Sequence, residues 1–328
     1  MIHIPFQLLF LLLCICCDVL NVLILMFQAS AELPSYLLLL YSSLALTTLD
    51  FGFASPGCGF GTPGFQYTFF GTIILSVAVS GAIFGGLLLI GVVRRFVIGQ
   101  AGVSKWSWYR DRLIRATTIL LTFLYVNLTT ISIQSLYCVQ VNGVWYLQTD
   151  MSVKCFTSDH YPMAIVGGFL LLTVTIGFPA VSAFIVVRHR RNLFSEHLLG
   201  KFGFLYESFV ERNIITRLFS FFGLILSLFL AVAFAAFAAY PTVQFGISLP
   251  STLIYLLLLV FLRPCVQKSE WVMTITTTMI SFFAAILNYL STQNVNPNVT
   301  KGMSAVILGM NRVYCGILLL LLLLPLLL

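Results

Sequence analysis

Three groups of residues in this chain have types and spacings that could do chemistry. The first is a pair of cysteines, Cys138 and Cys155, on either side of Asn142-Gly143. Asn-Gly between two β-prone runs marks a two-residue hairpin turn, because both central residues of such a turn need positive φ. In an oxidising compartment a Cys138–Cys155 disulfide is the natural reading, with Cys58 as a competing partner. The stapled hairpin would act as a lid holding two helix ends together or as a ligand-binding cap. The second group is Asp18 and Arg312, each set inside a long apolar run. Charges in lipid are costly and mark ion pairs, gates or pathways; these two form a candidate intramembrane pair, with Asp50 as another partner for Arg312. The third group is polar. Asn127, Thr129, Thr130 and Gln134 interrupt one apolar run, and Thr274, Thr276, Thr277, Thr278 and Asn288 another. Such residues line a hydrated path or hydrogen-bond to their own helix backbone. Asn127, Thr130, Gln134, Thr274, Thr277 and Asn288 are the candidate lining residues.

Other motifs read more plainly. Cys14, Cys16 and Cys17 cluster in an apolar run, but neighbouring helical positions point in different directions and no His accompanies them, so packing or palmitoylation fits better than a metal. Gly81, Gly85 and Gly86 form a GxxxG pattern that permits close helix approach. Asn298-Val299-Thr300 is a candidate glycosylation site. The sequence holds no HExxH, no GxSxG and no phosphate-cradling loop. The expectation is a protein that is not an enzyme and uses no cofactor.

These residues must be positioned by elements dissolved in lipid. The chain is 60% apolar and 8% charged, with a mean hydropathy of +1.04, whereas soluble domains carry about a quarter charged residues. About 20 apolar residues span a bilayer. On that ruler there are nine candidate spans, at residues 6–27, 35–54, 69–93, 116–137, 163–187, 218–240, 246–262, 271–291 and 303–327. The run 218–262 is too long for one crossing, with Pro241 marking a turn and Pro250 a helix start.

Of 17 Lys and Arg, all but Lys154, Lys301 and Arg312 lie within 94–115, 188–217 and 263–268. Cationic residues gather in cytoplasmic loops, so these stretches face inward. The amino terminus and the hairpin then lie outside and the carboxyl terminus inside. Ala29-Ser30-Ala31 resembles a signal-peptide cleavage site, but no cation precedes the apolar run and Asp18 interrupts it, so residues 1–32 are read as an uncleaved first span. The net charge of +7 serves orientation and anionic lipid, not nucleic acid. The segment 202–217 alternates aromatic and charged residues and is expected to lie along the interface.

An ordered set of stretches carries a family resemblance. It comprises Leu33-Pro34, Leu49-Asp50-Phe51 and Cys58, then Cys138, Gly143, Tyr146-Leu147, Asp150 and Cys155. Gly177-Phe178-Pro179, Gly203-Phe204-Leu205-Tyr206, and Arg263-Pro264 with Glu270 complete it. The set resembles the carboxyl-terminal multi-pass module of protist and algal surface proteins, itself similar to the TRP-like (polycystin-related) membrane domain. The resemblance covers residues 33–290. It implies a helical bundle at the plasma membrane or an internal membrane of the secretory pathway, commonly following extracellular repeats. It also implies a TRP-like cation channel or channel subunit, the alternative being an anchoring and signal-relay module of a surface receptor or adhesin. The expected architecture is an all-α polytopic membrane bundle of about nine helices, one multi-pass domain over 1–328, with one short extracytoplasmic β-hairpin. Its expected partners are lipids, ions and further copies of itself.

Overall fold

The computed structural model describes residues 64–98, 105–190, 192–193, 195–207, 209, 214–237 and 240–292. The chain divides into two compact units. One comprises Leu49–Ile225 with Pro264–Val266, the other Met1–Thr48, Leu226–Arg263 and Gln267–Leu328.

In the first unit, α1 (Phe65–Ile98) and α2 (Lys105–Leu136) are followed by three strands, β1 (Cys138–Val141), β2 (Val144–Leu147) and β3 (Asp150–Lys154). A long helical stretch comes next. It begins as α3 (Tyr161–Leu170), widens into a π-helical segment at Leu171–Gly177, and continues as α4 (Phe178–Arg188). Short helices α5 (Glu196–Phe202) and α6 (Ile214–Arg217) precede α7 (Phe219–Ala236), which passes into the second unit at Leu226. The second unit holds α8 (Pro241–Leu262) and α9 (Lys268–Thr292), which pack on each other.

Helix is the state these sequences must take in lipid, since it alone satisfies the backbone of a single apolar segment. Prolines punctuate it where physics allows. Pro162 and Pro241 stand in first turns, where a missing N–H matters least. Pro250 lies inside α8 and does not start it. Hydroxyls dress the backbone beside the break: Ser251 donates to Ile247 O at 2.8 Å and Thr252 to Ser248 O at 2.8 Å. At the far end of α8, Arg263 takes a left-handed conformation (φ 42°). The Trp271 indole N–H there caps Leu259 O at 2.9 Å, beneath the Arg263 guanidinium.

Five helical stretches among the described residues are long and apolar enough to cross a bilayer: Phe65–Gly86, Arg110–Leu136, Tyr161–Arg188, Phe219–Ala236 and Thr242–Leu262. They coincide with five of the nine expected spans. The expected span at 271–291 is helical as part of α9. The spans at 6–27, 35–54 and 303–327 lie outside the described residues.

Several expectations change in detail. The hairpin is a three-stranded meander in order β1-β2-β3, with Asn142 (φ 51°) and Gly143 (φ 82°) at the first turn as the Asn-Gly signal requires. The third strand returns along β2 with a register shift at Tyr146/Leu147. Much of the basic stretch 94–115 is helix and not loop, because α1 and α2 run on past their apolar segments. The stretch 202–217 is not simply interfacial. Leu205 and Tyr206 are buried with Val186 and Leu193, and Tyr206 can sink there because its hydroxyl donates to Leu193 O at 2.8 Å. A Cβ on Gly81, Gly85 or Gly86 would touch nothing, so the GxxxG face makes no close approach among the described residues. That approach occurs at Gly167, where a Cβ would overlap Ser135 Oγ and lie 3.4 Å from Ser132 O.

Candidate functional site

Two polar regions lie within apolar helices, and they are built differently. On α2, Tyr125, Thr129, Ser132 and Ser135 recur at helical spacing and so share a face; all are buried. Across from them stands the π segment. Pro179 has no N–H to offer the Thr175 carbonyl four residues back. That carbonyl accepts the Tyr125 hydroxyl at 3.1 Å, and the Thr175 and Thr129 hydroxyls meet at 3.1 Å. Thr130 donates to Val126 O at 2.8 Å, Ser132 to Leu128 O at 2.5 Å, and Ser135 to Ser132 O at 2.9 Å. A π bulge often marks a functional position, but this one is spent on closing a helix seam.

On α8, Gln244, Ser248 and Thr252 stand at i, i+4 and i+8 and form one stripe. Their relative exposures are 1%, 0% and 0%. Gln244 Nε2 and Ser248 Oγ have no hydrogen-bond partner among the described residues. A buried polar atom left unmet costs roughly 1–3 kcal/mol, and a hydrogen-bond acceptor such as water would relieve the Gln244 amide. Three threonines of the neighbouring α9 bond to their own helix. Thr274 donates to Glu270 O, and Thr277 and Thr278 to Thr274 O, each at 2.8 Å. Glu270, buried in the first turn of α9, adds a carboxylate to this unit.

The meander builds a third region. Cys138 and Cys155 Sγ stand at disulfide-bonding distance, with Cα atoms 6.4 Å apart. Behind them Phe69, Leu147, Val153 and Met163 form a buried cluster with Cys155. Asp150 Oδ2 accepts the Phe65 N–H at 2.7 Å and so caps the start of α1. Its other oxygen takes the Ser152 hydroxyl at 2.6 Å and the Ser152 N–H at 3.0 Å. Partial burial pushes the Asp150 carboxyl up, but the Ser152 hydroxyl and the two N–H donors together outweigh it and hold the group below the ordinary carboxylate range. At the opposite end of α2, Lys201 pairs with Asp111 at 3.4 Å and Arg115 with Glu207 at 3.3 Å. Burial, and then the Glu207 charge, push the Tyr206 hydroxyl up to about 12 against an opposing pull from Arg115.

The structure therefore brings Cys138 and Cys155 together and places the other sequence candidates unevenly. Thr130 and Thr277 are buried and bonded to their own helices, Thr274 is half-buried and likewise bonded, and Asn127 and Gln134 are half-buried. Asn288 stands near the end of α9. Asp18, Asp50, Cys58, Asn298 and Arg312 lie outside the described residues. Sequence reasoning missed the α8 stripe by looking for dense polar runs; the signal was the sparse four-residue spacing of Gln244, Ser248 and Thr252. It also missed His160, buried beside the disulfide. No protein-family model, no curated protein and no solved structure matches this chain.

Proposed function

We propose that this chain is a multi-pass membrane protein that carries small cations, as a TRP-like channel or channel subunit, along a water-bearing seam in the unit that holds α8 and α9. The observation that carries the reading is the buried α8 stripe with its two unmet polar atoms. A hydrogen-bonding guest at Gln244 and Ser248 relieves both, and a file of such guests is what a conducting path contains. On this reading the basic segments face the cytoplasm and the meander lies outside.

The test is reconstitution of the full chain in planar bilayers. Cation-selective current is expected, with Ser248→Leu lowering it at least tenfold and Thr130→Val leaving it near the parent value. A tight bilayer under varied voltage, lipid and calcium would contradict conduction.

A second reading has its own support. The closed seam of Tyr125, Thr129 and Thr175 and the stapled meander build a rigid bundle, which suits an anchoring or relay module without transport. That reading expects silent bilayers and an α8 stripe that takes up isolated waters only.

A further inference from the structure

The Cys138–Cys155 pair has a third member. A ring nitrogen of His160 and the two sulfurs all lie within 4.8 Å of one another. His160 is only 3% exposed, and its Nε2 lies 3.1 Å from the Ser135 carbonyl. A carbonyl can only accept, so Nε2 carries the proton, and in the neutral ring Nδ1 keeps a bare lone pair. That Nδ1 is buried and has no hydrogen-bond partner among the described residues. A turn in which Thr157 O accepts the His160 N–H at 3.0 Å and the Tyr161 N–H at 3.1 Å fixes the ring's starting point.

We propose that reduction of the Cys138–Cys155 bond turns this corner into a Cys₂His site for a soft divalent cation of the zinc type. Two thiolates and an imidazole are a zinc donor set, with a fourth position open to water. Ligand atoms around a tetrahedral zinc ion sit about 3.5–3.8 Å apart, given bonds of about 2.3 Å to sulfur and 2.0 Å to nitrogen. The three groups reach that spacing by side-chain rotation and opening of the S–S bond. The Ser135 carbonyl plays the outer partner that a metal-bound histidine commonly has on its other nitrogen.

The chemistry balances with an external dithiol or phosphine as reductant. It gives two electrons to the S–S bond, which breaks. Each sulfur takes one proton; a dithiol reductant leaves as its own disulfide, and a phosphine leaves as its oxide, with water supplying the oxygen and the two protons. Metal binding then displaces the two thiol protons to solvent, while neutral His160 gives its lone pair without losing a proton. The loop 138–155 is closed in both states, by a covalent bond in one and by a metal clip in the other.

The test uses the full chain in detergent, reduced with a phosphine and titrated anaerobically with Co²⁺ as the spectroscopic stand-in for zinc. Reduced wild type is expected to bind one more Co²⁺ than reduced Cys138→Ser or Cys155→Ser, with a sulfur-to-cobalt charge-transfer band and release of two protons. The oxidised chain lacks that band. His160→Gln, checked for wild-type helix content while oxidised, weakens binding tenfold or more. Equal Co²⁺ uptake by wild type and both cysteine variants would overturn the proposal. So would undiminished affinity in His160→Gln, or loss of helix on reduction that neither Co²⁺ nor Zn²⁺ restores.

Discussion

On α2, Tyr125 and Thr129 reach across to the π segment and return hydrogen bonds to Thr175, while Thr130 and Ser132 return theirs to their own backbone. On α8, Gln244 and Ser248 are as deeply buried, yet the amide nitrogen of one and the hydroxyl of the other meet no partner among the described residues. Both faces follow the same helical spacing and draw on the same kinds of side chain. The difference lies in what stands opposite. A proline-loosened helix offers α2 a spare carbonyl, whereas the described neighbours of α8 offer Gln244 Nε2 and Ser248 Oγ nothing. A polar face inside lipid is therefore a seam or a path according to its partners, and counting polar residues does not separate the two.

Substitutions should split the regions by size and sign of effect. The largest loss belongs to the seam: Gly167→Leu drives a side chain into Ser135 and the Ser132 backbone and should lower stability by about 3 kcal/mol, read by denaturant titration in micelles. Tyr125→Phe removes the donor to Thr175 O and should cost about 1–2 kcal/mol. On α8 the sign reverses. Ser248→Ala deletes an orphaned hydroxyl and should leave stability unchanged or raise it by up to about 1 kcal/mol while lowering current. A clear loss of stability there would mean that the stripe is sealed like α2.

The smallest effect is that of pH on the meander. Asp150 has a depressed folded-state pKa, so its contribution is present above the ordinary value of 3.8 and is lost as pH falls below that through the lower folded value. Melting should be flat from pH 7 to 5 and fall more steeply below about 4 in wild type than in Asp150→Asn. The readout is thermal unfolding followed by circular dichroism.

Legibility in the sequence followed the range of the interaction. Five spans and the Asn142-Gly143 turn were readable because apolar length and turn chemistry are local. Cys138 and Cys155 were readable because they bracket that turn at a separation of 17. The π segment was not, since it joins Pro179 to a tyrosine 50 residues upstream of Thr175. Nor was the third strand, whose pairing with β2 runs through a register shift. The pathway candidates at 127–134 and 274–288 rest on polar residues along two spans, and the hydroxyls among them are groups that readily satisfy themselves on a helix. Gln244 has no such self-contained solution, and that is why it and Ser248 now carry the functional reading.

Water access to α8 is the direct discriminator. In proteoliposomes, Ser248→Cys should react with a charged, membrane-impermeant thiol reagent at least tenfold faster than Thr129→Cys, each measured as the increment over the parent chain. Equal, negligible labelling at both positions would show that α8 is as dry as the seam and would contradict a hydrated path.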